Sequence, residues 1–580
     1  MNKDLINSIG KIIFKVLVWL VFLYVLAMVF TGNWSLRDTK SLVLLSLLIT
    51  LISDYVFVKR NFIKAFLAIF FVEVSVLIVN LLANPATARL ATIKYISFAG
   101  CFACAILIVS VIFKNDIADT VLCGMVIALP LLYWNYYFSI KAWFASDALL
   151  AILQTNMGEA NEYIQDHFSF AGLACTIVLF GVAISIYKTL NKLELKAEKK
   201  YYIPLAIFMA ILSIYCCYRT RDNVVVNVFT HARQNISKYD DFKNKKEQRK
   251  QLINGLKNIK DSNDGVYVLV IGESQNKNHM SAYGYERKTT PWLDSVIGKE
   301  NFFLFQNAYS CHAHTVPVLT YALTAKNQYN GLNLAEAVSL LEIAETSGFE
   351  TVWLSNQVKY SAWDTPITVI ATEANQQDWI NHNVGETTVT NYYDIKHLES
   401  LDKIQVASKT LIVIHLMGSH GAYEQRYPQD FSVFSNTGSV NAYDNSIAYT
   451  DKVLQLLFDK VNKIPNFKGL VYLSDHAEAV DEKLGHDASK FTWPMARIPL
   501  FIYLSKEYAD ENKDVILNLQ AARQKVFTND LLFNLMLGIM KIQVPSIYEA
   551  ENDITASTYN SVPDRFKTLY GKKDVVKDNL

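Results

Sequence analysis

Two patterns of hydrophobic residues divide the chain near residue 218. Before that point, apolar runs alternate with short polar connections. Each run is close to the ~20 residues that a helix needs to cross ~30 Å of hydrocarbon. We therefore predict a transmembrane domain in residues 1–218 with about seven helices, at 12–30, 42–58, 65–82, 96–113, 120–138, 168–190 and 202–218.

After residue 218 the pattern changes twice. Residues 219–264 are polar and lysine-rich, which is typical of a linker or a solvated bridging helix. From residue 265, short runs of β-branched and apolar residues alternate with helical stretches, which predicts one α/β domain with a mostly parallel sheet over 265–580. We expect strands at 266–271, 302–305, 351–354, 410–416, 469–473 and 500–504, and helices at 334–347 and 446–463.

The connection at 139–167 is long and partly amphipathic, so we predict that it lies on the outer face of the membrane that the helices span. Within it, Glu159 and Glu162 share a face if the segment is helical. Two interpretations remain open: a solvated face, or a polar cluster that binds the amine of a lipid head group.

Composition and charge refine this division. Hydrophobic residues make up 51% of the 580, which is high for a wholly soluble protein, and the net charge of +1 does not indicate a nucleic-acid partner. With a cytoplasmic N-terminus, the inside connections carry twelve lysines and arginines and the outside ones carry five. By the positive-inside rule and an odd number of spans, the α/β domain lies outside the cytoplasm, in the periplasm of a Gram-negative cell.

Cysteine positions add one constraint on the α/β domain. Of the seven cysteines, only Cys311 lies beyond the predicted spans. That domain therefore has no internal disulfide, and we expect its core and any bound metal to stabilise it.

Chemically active side chains follow two of the predicted strands. Glu273 comes directly after the strand at 266–271, and Asp475 and His476 follow the strand at 469–473. Ligands of open α/β sheets bind at the carboxyl ends of strands. Two carboxylates and an imidazole form a mixed oxygen and nitrogen set that suits Zn²⁺, with one position open for a reacting group.

A candidate nucleophile lies between these strands, in the segment SCHAHTVPVLT. A hydroxyl near a metal is deprotonated more easily because the cation lowers its pKa. Thr315, directly before Val-Pro, is our candidate. Spacing alone leaves Ser310 and Thr320 as alternatives.

Five ordered motifs, GES…SAYGYERKTTP, SCHAHTVPVLT, HLMGSHGAY, YDNSIAYTD and YLSDHAE, follow the membrane domain. In this set the chain resembles the bacterial phosphoethanolamine transferases, membrane-anchored enzymes of the alkaline phosphatase and sulfatase superfamily. The resemblance is strong over 265–504 and weaker in the membrane domain. It implies an inner-membrane, multi-pass protein with an alkaline-phosphatase-like catalytic domain in the periplasm.

The resemblance also implies roles for individual residues. Glu273, Thr315, Asp475 and His476 match the family's zinc ligands, and Thr315 also matches the nucleophile that takes phosphoethanolamine from phosphatidylethanolamine. An envelope glycan or lipid, such as lipopolysaccharide, would then accept the group from phospho-Thr315. His415, His420 and His486 match histidines near the metal, with roles in proton transfer or in binding a second metal. Asp444, Asn445 and Asp451 are interpreted as structural.

The membrane domain shares a further motif with the family. Residues 155–160 resemble a Thr-Asn-x-x-Glu-Ala motif near the donor lipid, which implies that Asn156, Glu159 and Glu162 hold the ethanolamine ammonium. Members that modify lipid A commonly have five spans and several disulfides in the catalytic domain. Seven spans and a single external cysteine argue against lipid A as the acceptor, which could instead be a core sugar, another periplasmic or surface glycan, or a protein. The sequence does not identify the oligomeric state.

Two other function classes are compatible with this architecture. A glycerol-phosphate transferase of the lipoteichoic acid synthase type shares a threonine nucleophile, but usually has five spans and no amine-lipid motif. A membrane sensor or transporter with a ligand-binding outer domain would not need all four metal positions, which are filled here. Sulfatase activity would need a Cys/Ser-x-Pro-x-Arg pattern, which Thr315-Val316-Pro317-Val318-Leu319 lacks.

Overall fold

The computed structural model describes residues 3–32, 39–57, 59–83, 89–154, 168–194, 199–254, 264–357, 366–381, 392–435, 437–544 and 546–578. The chain divides into two compact units, one built mainly from residues up to Arg233 and the other containing Gln234–Leu580. The predicted residues Asn156, Glu159 and Glu162 lie outside the described residues.

The N-terminal unit is helical. Among the described residues, five helices are long and apolar enough to cross a membrane, at Asn7–Thr31, Asn61–Ala83, Leu90–Phe113, Asp116–Ile140 and Phe170–Leu190. The other two predicted spans coincide with helices at Lys40–Tyr55 and Lys199–Arg219. The first of these has sixteen residues, and the apolar part of the second, Ile203–Arg219, is also short for a span. The chain is a multi-pass membrane protein with at least these five candidate spans.

Three further helices lie outside the predicted spans. Ser146–Gln154 is a short helix within the predicted interfacial segment, and Val226–Asn244 and Lys246–Asn254 occupy the predicted bridging segment. Phe242 and Ile253, from the bridging helices, belong to the hydrophobic core of the C-terminal unit. The second half of the bridge is therefore part of the C-terminal unit rather than a solvated linker.

The C-terminal unit is an α/β domain, as predicted. Its strands are β1 Val266–Gly272, β2 Phe302–Leu304, β3 Asn307–Tyr309, β4 Glu350–Ser355, β5 Gln376–Trp379, β6 Thr410–His415, β7 Phe467–Ser474, β8 Leu500–Leu504, β9 Val526–Thr528, β10 Lys567–Thr568 and β11 Lys573–Asp574. Helices of six or more residues lie at Pro291–Val296, Thr315–Ala322, Leu340–Thr346, Pro366–Ala371, His397–Lys403, Ser439–Val461, Lys506–Glu511, Lys513–Ala522 and Leu532–Ile539.

The main sheet has seven strands in the order β2-β8-β7-β1-β6-β4-β5. Strand β1 is parallel to both β6 and β7, whereas β8 is antiparallel to β7 and to β2. All seven residues of β1 are buried, because alternate side chains enter hydrophobic clusters on the two faces. The carboxyl ends of β1, β6 and β7 therefore meet at one edge in the middle of the sheet.

One sequence-based prediction of local structure was wrong in detail, and one strand of the main sheet was not predicted. The predicted helix at 334–347 is divided into a 3₁₀ turn, Leu334–Glu336, and a helix, Leu340–Thr346. The second part begins at Ser339 because Ser339 and Glu342 form a reciprocal capping box there. Strand β5 was missed because its sequence, QQDW, is polar, as expected of a strand at the sheet edge.

Candidate functional site

Glu273 follows β1 at the central edge of the sheet and is 1% exposed. Its main chain is bound on one side by the loop after β6, where Ser419 N donates to Glu273 O at 2.9 Å. Its side chain accepts a hydrogen bond from Ser274 Oγ at 2.9 Å. The carboxylate is thus fixed at the switch between β1 and its two parallel neighbours, where ligands of such sheets bind.

Asp475 and His476 follow β7, the neighbour of β1. His476 Nε2 lies 3.2 Å from Glu273 Oε1 and 3.4 Å from Asp475 Oδ2. One donor atom from each of these three buried residues lies within 4.8 Å of the other two. Asp475 Oδ1 accepts a hydrogen bond from Ser274 N at 3.1 Å, which connects the two strand ends directly.

Thr315 is the first residue of the helix Thr315–Ala322 and completes the cluster. Its Oγ1 lies 3.2 Å from Glu273 Oε2 and 3.2 Å from His476 Nε2. The two alternative hydroxyls face elsewhere: Ser310 Oγ donates to Asp475 O at 2.6 Å, and Thr320 Oγ1 donates to Val316 O at 2.6 Å within its own helix. Of the three candidates, the structure places only the Thr315 hydroxyl against the acidic and histidine side chains.

The electrostatics of this cluster favour a cation. Burial, together with the charge of Glu273, raises the pKa of Asp475 to about 7. For His476, burial acts to lower the pKa, but Asp475, Glu273 and Glu478 outweigh it and raise the pKa to about 10. Burial acts to raise the pKa of Glu273, but its contact with His476 lowers it below the ordinary value. The two carboxylates repel each other, and a positive charge between them would relieve this repulsion.

Orphaned polar atoms test whether the residues fit a metal ion. Asp475 Oδ2 and His415 Nε2 are buried, and neither receives or donates a hydrogen bond among the described residues. Two carboxylates and an imidazole are ordinary ligands for Zn²⁺, which leaves a fourth position that the Thr315 oxygen could fill. The donor set, its spacing and the orphaned carboxylate oxygen therefore fit a divalent cation held by Glu273, Thr315, Asp475 and His476.

The three further histidines predicted from sequence lie at different places. The His486 ring centroid is 4.5 Å from that of His476, and the His420 ring is 6.2 Å from that of His486. His415 is the last residue of β6 and packs edge-on against Trp353, with centroids 6.0 Å apart. Burial lowers the pKa of both His415 and His420 to about 4, so both imidazoles are neutral at pH 7.

Sequence reasoning did not single out two residues that the structure places here. Glu478 is 1% exposed, and its Oε1 lies 2.7 Å from His486 Nδ1. The His314 ring lies 5.7 Å from that of His486. Both residues lie inside motifs that were chosen for neighbouring residues. Glu478 is two residues after His476, and His314 directly precedes Thr315. Their proximity to His486 is set by the fold.

The long helix Ser439–Val461 supports the loops around the site. Tyr443 OH donates to Ser274 O at 2.7 Å and accepts from Asn276 N at 2.8 Å. The residues interpreted as structural bind other loops: Asp444 contacts His279, Tyr285 and Arg287; Asn445 accepts from Val433 N and Phe434 N; and Asp451 accepts from Trp292 N and Leu293 N.

The part of the chain that contains this site, residues 266–541, matches the Sulfatase family. The seven-stranded sheet and the metal-type cluster at its central edge lie within the matched residues. The segment from Thr315 to Leu319 lacks the Cys/Ser-x-Pro-x-Arg pattern that sulfatase activity would need.

Two relatives of the chain are named phosphoethanolamine transferases. The chain is 28% identical over 415 residues to phosphoethanolamine transferase EptC of Escherichia coli K12, covering 64% of this chain and 71% of that protein. It is 25% identical over 438 residues to phosphoethanolamine transferase CptA of Salmonella typhimurium, covering 68% and 74%. The chain is a relative of the bacterial phosphoethanolamine transferases.

Solved structures agree with both units of the fold. The C-terminal periplasmic domain of E. coli EptC in complex with Zn matches with a TM-score of 0.50 and 28% identity, covering 56% of this chain and 96% of that domain. The integral membrane protein EptA of Neisseria meningitidis matches with a TM-score of 0.58 and 19% identity, covering 84% and 97%. The second match supports the fold alone: a helical membrane unit followed by an α/β domain.

Proposed function

We propose that this protein transfers phosphoethanolamine from phosphatidylethanolamine to an acceptor in the cell envelope, through a covalent intermediate on Thr315. The observation that carries the proposal is the contact of Thr315 Oγ1 with Glu273 and His476, at 3.2 Å each, beside Asp475. The names of the related transferases supply the transferred group. The acceptor is an envelope glycan or lipid, of which lipopolysaccharide is one.

Zinc is the proposed cofactor, held by Glu273, Thr315, Asp475 and His476. The related periplasmic domain of E. coli EptC forms a complex with Zn, and the donor atoms here have the types and spacing that Zn²⁺ accepts. When bound, zinc lowers the pKa of the threonine hydroxyl and offsets negative charge on the phosphoryl group.

The first half of the reaction forms the covalent intermediate. Thr315 Oγ loses its hydroxyl proton and attacks the phosphorus of the donor, the bond from phosphorus to the diacylglycerol oxygen breaks, and that oxygen takes up a proton as diacylglycerol leaves. His486 is suited to give the leaving oxygen its proton, because Glu478 binds its Nδ1 at 2.7 Å and so orients the ring. His420, neutral at pH 7, is suited to accept the proton that Thr315 loses.

The second half transfers the group to the acceptor. An acceptor oxygen attacks the phosphorus, the bond from phosphorus to Thr315 Oγ breaks, and the proton held by His420 returns to Thr315 Oγ. If the acceptor is a hydroxyl, its proton passes to His486, which gave up a proton in the first half. The chain's residues thus act twice, with acid and base roles exchanged between the two halves.

Location and donor recognition complete the proposal. We place the protein in the bacterial inner membrane with residues 265–580 in the periplasm, supported by the twelve-to-five excess of inside lysines and arginines in the predicted topology. Asn156, Glu159 and Glu162 are proposed to bind the ethanolamine ammonium of the donor. They would do so through one amide and two carboxylate side chains, the groups that bind an ammonium ion.

Substituting Thr315 tests the function. Thr315→Ala should lower transfer by ~10³-fold or more, because the nucleophile is removed. Thr315→Ser keeps a hydroxyl and should retain measurable transfer. The assay follows fluorescent phosphatidylethanolamine in proteoliposomes, with fluorescent phosphatidylglycerol as the competing donor. Intact-protein mass spectrometry of wild type should show a phosphoethanolamine adduct that Thr315→Ala lacks. Full transfer by Thr315→Ala, or a preference for phosphatidylglycerol, would refute the proposal.

A further inference from the structure

A strained turn near the C-terminus, Thr568–Gly571, lies against the segment that carries Thr315. Its last three residues all have left-handed backbone conformations, with φ of 50° at Leu569, 54° at Tyr570 and 86° at Gly571. Only the third is a glycine, and side chains rarely adopt this conformation. Such strain persists only where surrounding contacts enforce it. We call these four residues the C-terminal turn.

The C-terminal turn binds the main chain on the N-terminal side of Thr315. Thr568 Oγ1 donates to Ser310 O at 2.7 Å, and Tyr570 N donates to Cys311 O at 3.2 Å. The Tyr570 ring also contacts the His312 ring, with centroids 5.1 Å apart. These contacts hold the three residues from 310 to 312.

The same turn binds the chain on the C-terminal side of Thr315. Tyr570 OH donates to Pro317 O at 2.7 Å. The Tyr570 ring stacks on Tyr321, in the second half of the same helix, with centroids 4.3 Å apart and planes 22° apart. One side chain therefore connects the approach to Thr315 with the helix that begins there.

The loop before Thr315 is also tied to a metal-type ligand. Ser310 Oγ and Asn529 Nδ2 both donate to Asp475 O, at 2.6 Å and 2.5 Å. Because Thr568 holds the carbonyl of Ser310, a shift of the C-terminal turn would move both the Thr315 segment and its contact with Asp475. Misplacing a reacting group by ~1 Å can cost ~10²-fold in rate.

We propose that the C-terminal turn is a positioning element for Thr315, acting through Tyr570, and this rests on the proposed role of Thr315 as nucleophile. The turn holds Ser310, Cys311 and Pro317 by hydrogen bonds on both sides of Thr315. It thereby fixes the position of Thr315 Oγ1 beside Glu273 and His476. The turn lies beyond residues 266–541, the part of the chain that matches the Sulfatase family.

Removing one hydroxyl tests the proposal with a matched control. Tyr570→Phe deletes the hydrogen bond to Pro317 and keeps the ring. Tyr508→Phe deletes an equivalent bond, from Tyr508 OH to Ile539 O at 2.7 Å, in the buried core. In purified full-length protein, Tyr570→Phe should lower the single-turnover rate of adduct formation on Thr315 by about tenfold at saturating phosphatidylethanolamine. KM, zinc content and melting temperature should change little. Tyr508→Phe should lower the melting temperature and leave that rate unchanged.

A second variant covers the contacts of the ring. Tyr570→Gly removes the ring and hydroxyl, while glycine adopts the observed φ without strain, so the turn can still form. It should slow adduct formation more than Tyr570→Phe does. Rates in both Tyr570 variants equal to wild type would overturn the positioning role. The positioning role would also be overturned if, in both Tyr570→Phe and Tyr508→Phe, the loss of rate were proportional to the loss of melting temperature.

The two proposals fail in different ways. If Thr315→Ala still forms the adduct, the assignment of the nucleophile fails, whatever the Tyr570 variants do. If Thr315→Ala forms no adduct and both Tyr570 variants react at the wild-type rate, only the positioning role fails.

Discussion

At the residue scale, the position of Glu273 depends on a glycine in another strand's loop. Gly418, after β6, has φ of 52°, and a Cβ there would lie 2.6 Å from Glu273 O and 2.8 Å from Glu273 N. Its own amide donates to Asp394 Oδ2 at 2.8 Å. The loop can approach the backbone of Glu273 this closely because residue 418 has no side chain.

We therefore expect Gly418→Ala to impair the site without changing any functional side chain. The clash falls on backbone atoms, so Glu273 or the loop must shift, and the free energy of unfolding should fall by about 1–3 kcal/mol. Transfer should fall by tenfold or more, on the order of the loss that small displacements cause. Gly421→Ala is the control, since a Cβ at Gly421 meets no atom within 4 Å. Equal activity of the two variants would contradict this account of Gly418.

A buried acid away from the site gives a pH-dependent prediction. Burial, together with the charge of Glu342, raises the pKa of Glu373 to about 7, above the ~4.3 of an unfolded chain. The folded state therefore binds this proton more tightly. Its contribution to stability is complete below about pH 4.3 and is lost as pH rises through about 7. The unfolding free energy of wild type minus that of Glu373→Gln should decrease as the pH rises from ~4.3 to about 7. A difference that does not change with pH would contradict this.

At the element scale, the second bridging helix is attached to the sheet domain by one buried cation. Arg249 is 1% exposed, its Nε lies 3.2 Å from both carboxylate oxygens of Glu342, and its guanidinium lies over the Phe242 ring at 3.8 Å. Glu342 also belongs to the capping box that begins the helix Leu340–Thr346. Arg249 thus connects two helices that are distant in sequence.

Removing this cation should weaken the docking of the bridging helix. Arg249→Ala leaves Glu342 buried and without its cation, which should cost about 3–5 kcal/mol of unfolding free energy. Lys245→Ala is the control, because its ion pair with Glu336 is 3.8 Å long and largely exposed, and should change the same quantity by ~0.5 kcal/mol or less. Denaturant titration of the full-length protein in detergent measures both. Similar losses in the two variants would argue against a specific role for Arg249.

At the scale of the whole molecule, a helical membrane unit and an α/β unit are formed mainly by consecutive segments of the chain. The core of each unit is formed largely from its own segment, with one buried cluster among the N-terminal helices and two on the faces of the main sheet. Cys311 is the only cysteine after residue 217, so residues 218–580 cannot form a disulfide among themselves.

The proposed topology predicts what a protease can reach. Proteinase K added to intact spheroplasts should digest residues 234–580 and leave membrane-protected fragments of the N-terminal helices, because the positive-inside rule places the α/β unit outside. A tag at the N-terminus should stay protected until the membrane is permeabilised. Protection of the α/β unit in intact spheroplasts would overturn the periplasmic location.

Much of the fold was readable from local pattern. The strand at 500–504 was predicted with its observed bounds, and those at 266–271, 351–354, 410–416 and 469–473 to within two residues, because strands buried on both faces are continuous runs of apolar and β-branched residues. The helix at 334–347 was wrong because side-chain capping at Ser339 interrupts a continuous apolar period. The polar edge strand β5 carries no hydrophobic signal, and its pairing with β4 decides its structure.

By itself, the sequence determined the membrane unit, the parallel sheet and which residue types stand at the strand ends, since burial requires long apolar runs and catalysis requires polar residues beside them. Tertiary structure decided the rest. It distinguished Thr315 from Ser310 and Thr320, brought His314 and Glu478 to His486, and folded a strained turn from residues 568–571 over the Thr315 segment. These contacts join residues up to 258 positions apart. The local sequence pattern predicts helices and strands but does not show which distant residues are close in space.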